Sequence, residues 1–277
     1  MTIRWRIFFG NPLAVAGLVV LVLLALAALF APWLTPHSPT ATRPLDMLQP
    51  PSPAHPLGTD DLGRDALSRL LHAGRTSLTL AIGVAAVAVG IGALLGGVAG
   101  YLGGRADGTI SALVDTMLSI PALALAMVAS AFLELTTLRL VLILGLVSWP
   151  TVARLVRAQV LSLKERDFVE AARATGAGHV RLLLRHLLPN AVTPVIVAGT
   201  LLVAYAVLIE SALSFLGFGL PPPTATWGGM LNEAQLYYLE APWLAVFPGL
   251  VITLAVAAIN FMGDGLREAT SGRTGEA

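Results

Sequence analysis

Long apolar runs alternate with polar segments along the chain, and the runs are too long for a soluble core. Pro12–Phe30 is almost uninterrupted, and Leu78–Tyr101, Thr109–Leu133, Leu138–Val160, Ala191–Phe215 and Leu244–Met262 follow it. Each approaches the roughly 20 residues that a helix needs to cross a bilayer. The pattern predicts an all-α membrane protein with six transmembrane helices. Its expected parts are a cytoplasmic N-terminus (1–11), a first transmembrane helix (12–32), an extracytoplasmic segment (33–77), a five-helix core (78–266) and a cytoplasmic tail (267–277). Arg4 and Arg6 precede the first run as in a signal peptide. That run exceeds the usual apolar stretch of about 7–15 residues, so it reads as an uncleaved helix. Gly83, Gly90, Gly92, Gly96 and Gly97 suit close helix–helix approach in the second run. Pro121 and Pro150 predict kinks in the third and fourth.

One island between the fourth and fifth runs is too polar for lipid. Residues 161–190 carry Lys164, Glu165, Arg166, Asp167, Glu170, Arg173, His179, Arg181, Arg185 and His186. Phe168–Thr175 has helical composition, and Gly176-Ala177-Gly178 supplies a turn. Val180, Leu183, Leu184, Leu187 and Leu188 then recur at helical spacing, with Pro189 expected to end the second helix. Such a pair is a docking knob for a partner; the alternative is an amphipathic helix lying among lipid headgroups.

Two other polar stretches are organised. Residues 31–75 are rich in proline, and Asp60, Asp61, Arg64 and Asp65 predict a charge network around turns at Gly58 and Gly63, with folding of the segment favoured as its role over direct substrate contact. After the fifth run, Pro221–Pro223 and Gly228-Gly229 predict a rigid exposed turn region, with Trp227, Tyr237, Tyr238 and Trp243 forming an interfacial aromatic belt.

Charge placement sets the orientation. With both termini inside, 12 of the 17 Lys and Arg residues fall on the cytoplasmic side, including seven between Arg154 and Arg185. The positive-inside rule therefore places the termini and the island in the cytoplasm. Charged residues are 12% of the chain, against about 25% in soluble domains. The net charge of +1 carries no indication of nucleic acid. The chain has no cysteine, and Lys164, followed by Glu165, is its only lysine. It therefore holds no P-loop, whose lysine reaches the nucleotide phosphates, and any ATPase is another polypeptide. No metal-protease spacing or nucleophile elbow occurs among His37, His55, His72, His179 and His186 and the scattered serines. Asp115 and Glu210 fall within apolar runs, where a carboxylate costs about 2.5–3.5 kcal/mol and should face protein or water. Each is a candidate for the pathway or for an interface. A hydrogen bond within the bundle is the favoured reading over a proton relay or a contact with a substrate ammonium.

Three motifs carry a resemblance. Glu170-Ala171-Ala172, Gly176 and Leu188-Pro189 resemble the EAA loop of ABC importer permeases. HPLGTDDLGRDALSR from His55, and ESALSFLGFGLPPPTATWGGML from Glu210, resemble signatures of the OppC/DppC type, and the likeness runs from about Asn11 to Ala269. His186 stands where many importers have isoleucine, as is common in the peptide subfamily. The resemblance implies the type I importer permease fold, with Glu170, Ala171, Ala172, Gly176, Pro189, Arg173 and Arg181 coupling to an ATPase. It also implies an OppB/DppB-like second permease, two ATP-binding subunits that hold the ATP and magnesium, and an extracytoplasmic peptide-binding protein. This chain itself is expected to bind no cofactor or metal. Di- and oligopeptides lead as cargo, ahead of nickel or glutathione-like peptides. The rivals are an ion-coupled secondary transporter using Asp115 or Glu210, against which the absence of an inverted repeat counts, and an intramembrane enzyme, against which the lack of a catalytic set counts.

Overall fold

The computed structural model describes residues 4–271, except the side chains of Arg173 and Ser271. Apolar sequence becomes helix here because a chain in hydrocarbon has to satisfy its backbone groups internally. A short helix α1 (Trp5–Gly10) leads into α2 (Pro12–Leu29). Asn11 caps α2 by accepting from the Leu13 and Ala14 N–H groups, and Pro12 occupies its first turn. A short α3 (Ala31–Leu34) follows, and then a lobe, residues 35–65, in which the only helical piece is a 3-10 turn at Pro44–Asp46. Asp65 closes the lobe by capping α4 (Ala66–Leu102), its carboxylate accepting from the Ser68 N–H.

The remaining helices are α5 (Gly104–Ser119), α6 (Ala122–Ala131), α7 (Thr137–Lys164), α8 (Asp167–Ala174), α9 (His179–Arg181), α10 (Leu188–Phe215), α11 (Trp227–Ala234) and α12 (Trp243–Ser271). Five spans are long and apolar enough to cross a membrane: α2, α4, α7, the continuous His179–Phe215 rod and α12. The α5–α6 pair, bent by 85°, is a broken span or a re-entrant loop, and counted as one span it makes six. The protein is an all-α, multi-pass membrane protein.

Expectations change at two prolines, Pro121 and Pro189, while a third lies within a continuous helix. Pro121 does more than kink its span. Ile120, held extended with ψ 131° as a residue before proline prefers, ends α5 outright. Pro150 lies inside an unbroken α7. Pro189 does not end the island's second helix: α9 continues through a π-helical stretch, Leu182–Leu187, into α10. Proline has no N–H to give, so the widened turn falls where the regular ladder lacks a donor.

The bundle is held by small residues. Along α4, Gly92, Gly96 and Gly100 repeat every fourth position and face α7. A Cβ on Gly96 would lie 2.3 Å from the Ala153 carbonyl oxygen, and one on Gly100 would lie 2.8 Å from that of Arg157. Gly145 of α7 meets Val87 of α4 in the same way. The two helices therefore pack with their backbones in close approach. Gly17 of α2 against the Ala258 backbone, and Gly265 of α12 against Ala14, repeat the device.

Contacts define two ends. Arg4 and Ala269 bond through their backbones, and Lys164 reaches the Tyr101 carbonyl. Ala28, at the end of α2, packs on Gly74 near the start of α4, so α2 begins at the end where α4 finishes, and the termini and the 161–190 island share that end. The opposite end holds the 35–65 lobe, α11 and the start of α12, where the Trp243 indole reaches the Thr59 carbonyl.

Candidate functional site

The island folds as a tight helix–turn–helix. Asp167 and Glu170 stand in the first turn of α8, where negative charge suits the helix dipole. Gly176 terminates α8 at φ +84°, and the Ala177 N–H bonds back to the Ala172 carbonyl at 3.1 Å. That six-to-one bond around a left-handed glycine is a Schellman turn. It reverses the chain so that α9 leaves beside α8. Val169, Leu182 and Leu187 are buried beneath the pair. Glu170, Ala171, Gly176, Arg181 and Pro189 face outward, Ala172 is half-buried, and Val180 and Leu184 add apolar surface at 71% and 54% exposure. The outer face therefore mixes carboxylate, guanidinium and exposed aliphatic groups, as a protein-docking surface does. Arg173, predicted for the same face, has its side chain outside the described residues.

A latch missing from the sequence reading joins this loop to the bundle. The buried Tyr101, near the end of α4, shares a hydrogen bond of 2.8 Å between its hydroxyl and His179 Nδ1. Lys164, at the end of α7, donates to the Tyr101 carbonyl at 2.8 Å and lies 5.9 Å from the ring centroid. The loop thus touches the ends of α4 and α7 through one tyrosine. Position 101 gave no signal because an apolar run ending in tyrosine reads as an interfacial anchor.

At the opposite end the predicted charge network exists and is larger than its motif. Asp60 accepts from the Leu62 and Arg64 N–H groups, from Arg64 Nε at 2.6 Å and from the Arg69 guanidinium. Arg64 and Arg69 both reach Glu233 on α11, Arg69 at 2.7 Å. Asp60, Arg64 and Arg69 are 4%, 8% and 3% exposed, so this is a buried ionic core. Gly58 and Gly63 turn through φ +75° and +69°. Asp61 sits at the rim, where burial, and then the neighbouring Asp60 charge, hold its carboxyl above the usual range.

Pro221–Pro223 form an exposed turn as expected, but the Trp227 and Gly228 part of that region is buried helix. Gly228 lies on α11, with room for no side chain: its Cβ would fall 2.5 Å from Ser211 Cα. Trp227 is 2% exposed and donates its indole N–H to the Leu70 carbonyl, so it belongs to the core rather than to an aromatic belt. Glu210 is 1% exposed on α10; its Oε1 accepts from the Ser214 hydroxyl at 2.7 Å, and the Thr226 hydroxyl faces the same carboxyl. Asp115 is far from it, on the open face of α5, paired with Arg154 at 2.6 Å. The two carboxylates do not share a site. Beside the Pro121 break, Met117, Ile120, Ser148, Thr151, Leu201 and Tyr205 line a cavity of about 590 Å³ between α5, α6, α7 and α10.

Residues 92–275 match the binding-protein-dependent transport system inner membrane component, and residues 2–51 match the N-terminal TM domain of oligopeptide transport permease C. The chain belongs to this family of transport permeases. It is 43% identical over 271 residues to the di/tripeptide transport system permease protein DppC of Pseudomonas aeruginosa, covering 96% of this chain and 89% of that one. A provisionally named peptide transport system permease protein of Brucella suis is 40% identical over 252 residues, covering 91% and 85%. A second Brucella suis protein, provisionally named a peptide permease, is 42% identical over 264 residues, covering 95% and 87%. This permease of the OppC/DppC type is a transport subunit, not an enzyme. The outward α8–α9 turn is where its EAA residues sit.

Proposed function

We propose that this permease forms half of the translocation pathway of an ABC importer for di- and oligopeptides, with both termini cytoplasmic. The observation that carries the reading is the exposed α8–α9 knob, at the same end as the termini, in a chain that has no P-loop of its own. ATP and magnesium belong to two partner ATPases, whose groove receives the knob. An OppB/DppB-like permease supplies the other half, and an extracytoplasmic binding protein delivers cargo to the lobe end. The excess of Arg and Lys at the knob end supports this orientation. The names of the relatives support peptide as cargo.

The geometry suggests how force travels. Closure of the ATPases displaces the knob, and the His179–Tyr101–Lys164 latch passes that displacement to α4 and α7 together. Those helices interlock through glycines, so they rock as a body against α10 and α12. The break at Pro121 lets α5 and α6 change angle, and the cavity beside it widens or closes against the second permease.

Uptake in cells lacking their own peptide and nickel importers, expressing this permease with its neighbouring genes, tests the cargo. Labelled dipeptide is expected to accumulate and to be competed by excess unlabelled peptide. Accumulation of nickel without peptide would overturn the cargo assignment.

A further inference from the structure

Beside the ionic core, the 35–65 lobe brings together two histidines that lie eighteen positions apart in sequence. The Ser68 hydroxyl donates to the His37 carbonyl at 2.7 Å, fixing the His37 backbone against the first turn of α4. Its ring then lies 4.9 Å, centroid to centroid, from that of His55. His55 Nδ1 is 2.8 Å from Asp65 Oδ1, while Asp65 Oδ2 accepts from the Ser68 N–H at 2.8 Å. His55 Nε2 faces Asp46 Oδ2 at 4.0 Å. One ring nitrogen of each histidine and one Asp65 oxygen lie within 4.8 Å of one another. His55 and Asp65 are buried, at 5% and 3% exposure, and His37 is half-buried.

We propose that His37, His55 and Asp65 form a binding site for a divalent transition cation of the zinc class. Two imidazoles and a carboxylate suit such an ion, which commonly takes three protein ligands and a water. Ligands of a tetrahedral zinc lie about 3.4 Å apart, given bonds of about 2.1 Å. The widest pair in the cluster therefore closes by about 1.4 Å or less, while the hydrogen-bonded His55–Asp65 pair, at 2.8 Å, opens slightly as the ion takes the place of the shared proton. His37 Nε2 lies 3.2 Å from the Ala54 carbonyl; donation there leaves Nδ1 as the free ligand nitrogen. The Ser68 N–H orients Asp65, the kind of outer-shell support that metal ligands use. Asp46 completes the charge balance, since two carboxylates offset a dication. The ion would tie the chain leaving α3 to the cap of α4 and stiffen the lobe. It is a resident ion in this role, separate from any cargo.

Zinc binding to the purified full-length chain, freed of any affinity tag and stripped with chelator, tests this. Dialysis against zinc chloride followed by elemental analysis is expected to leave one zinc per wild-type chain. His37→Gln keeps a donor for the Ala54 carbonyl and should bind at least about tenfold more weakly. Zinc should also raise the thermal midpoint of the wild type, and raise that of His37→Gln by less at the same zinc concentration. No stoichiometric zinc on the wild type, or equal retention by His37→Gln, overturns the site.

Discussion

Leucine at position 176 is expected to reduce peptide uptake by about 5- to 30-fold while the protein stays in the membrane. Nothing lies within 4 Å of where a Cβ would point, so the loss is not a clash. It arises from the backbone, since Gly176 holds φ +84° and a left-handed residue with a Cβ costs about 1–2 kcal/mol. A penalty of that size changes a two-state population by a factor of about 5–30. The Schellman turn sets the angle at which α8 and α9 meet above the buried Val169, Leu182 and Leu187, so its opening shifts Glu170 relative to Arg181 on the outer face. Asparagine tolerates the left-handed region, so Gly176→Asn should retain most uptake. The informative readout is the number of peptides moved per ATP hydrolysed. That ratio falls for Gly176→Leu if the turn couples the two. Equal ratios for wild type and Gly176→Leu would remove the turn from the coupling path.

Arg69→Ala should be more damaging to the fold than any change on the knob. It strips a guanidinium from between Asp60 and Glu233 and leaves the 4%-exposed Asp60 short of a partner. Breaking a buried ion pair by removing one side costs about 3–5 kcal/mol, a large share of the stability of an ordinary domain. The expected result is little folded protein in the membrane. Arg69→Lys should recover part of it, because one ammonium cannot fork to two carboxylates as guanidinium does. Arg43→Ala, on an exposed side chain, is the control and should fall within about 0.5 kcal/mol of wild type. Wild-type amounts of Arg69→Ala, with an unchanged thermal midpoint, would show that the ionic core does not hold the lobe.

The spans were legible because their signal is local. An apolar run of the right length leaves helix as its only way to satisfy the backbone; five of the six runs lie in single long helices and the third is shared by α5 and α6. The island was legible for the same reason: its charges forbid lipid and its glycine marks the turn. Contacts between distant residues left no such trace. Arg69 and Glu233 are 164 positions apart, and nothing in either neighbourhood names the other. Trp227 beside two glycines looks like a loop anchor until Ser211 is seen packed on Gly228. Proline was misleading in both directions. It breaks a helix where the preceding residue has gone extended, at Ile120, and it is absorbed where a π turn widens the ladder, before Pro189. The Tyr101–His179 latch shows the same limit: the motif reveals the knob, but not the buried tyrosine bonded to it.

The central claim is that the knob couples a separate ATPase to peptide movement. The most direct measurement is ATP-driven uptake of labelled dipeptide into proteoliposomes holding the complete importer, with Glu170→Arg compared to wild type at equal amounts of permease. The account predicts uptake by the wild type that survives a proton ionophore and is abolished by Glu170→Arg. Uptake that persists in Glu170→Arg but collapses when the proton gradient is dissipated would contradict it.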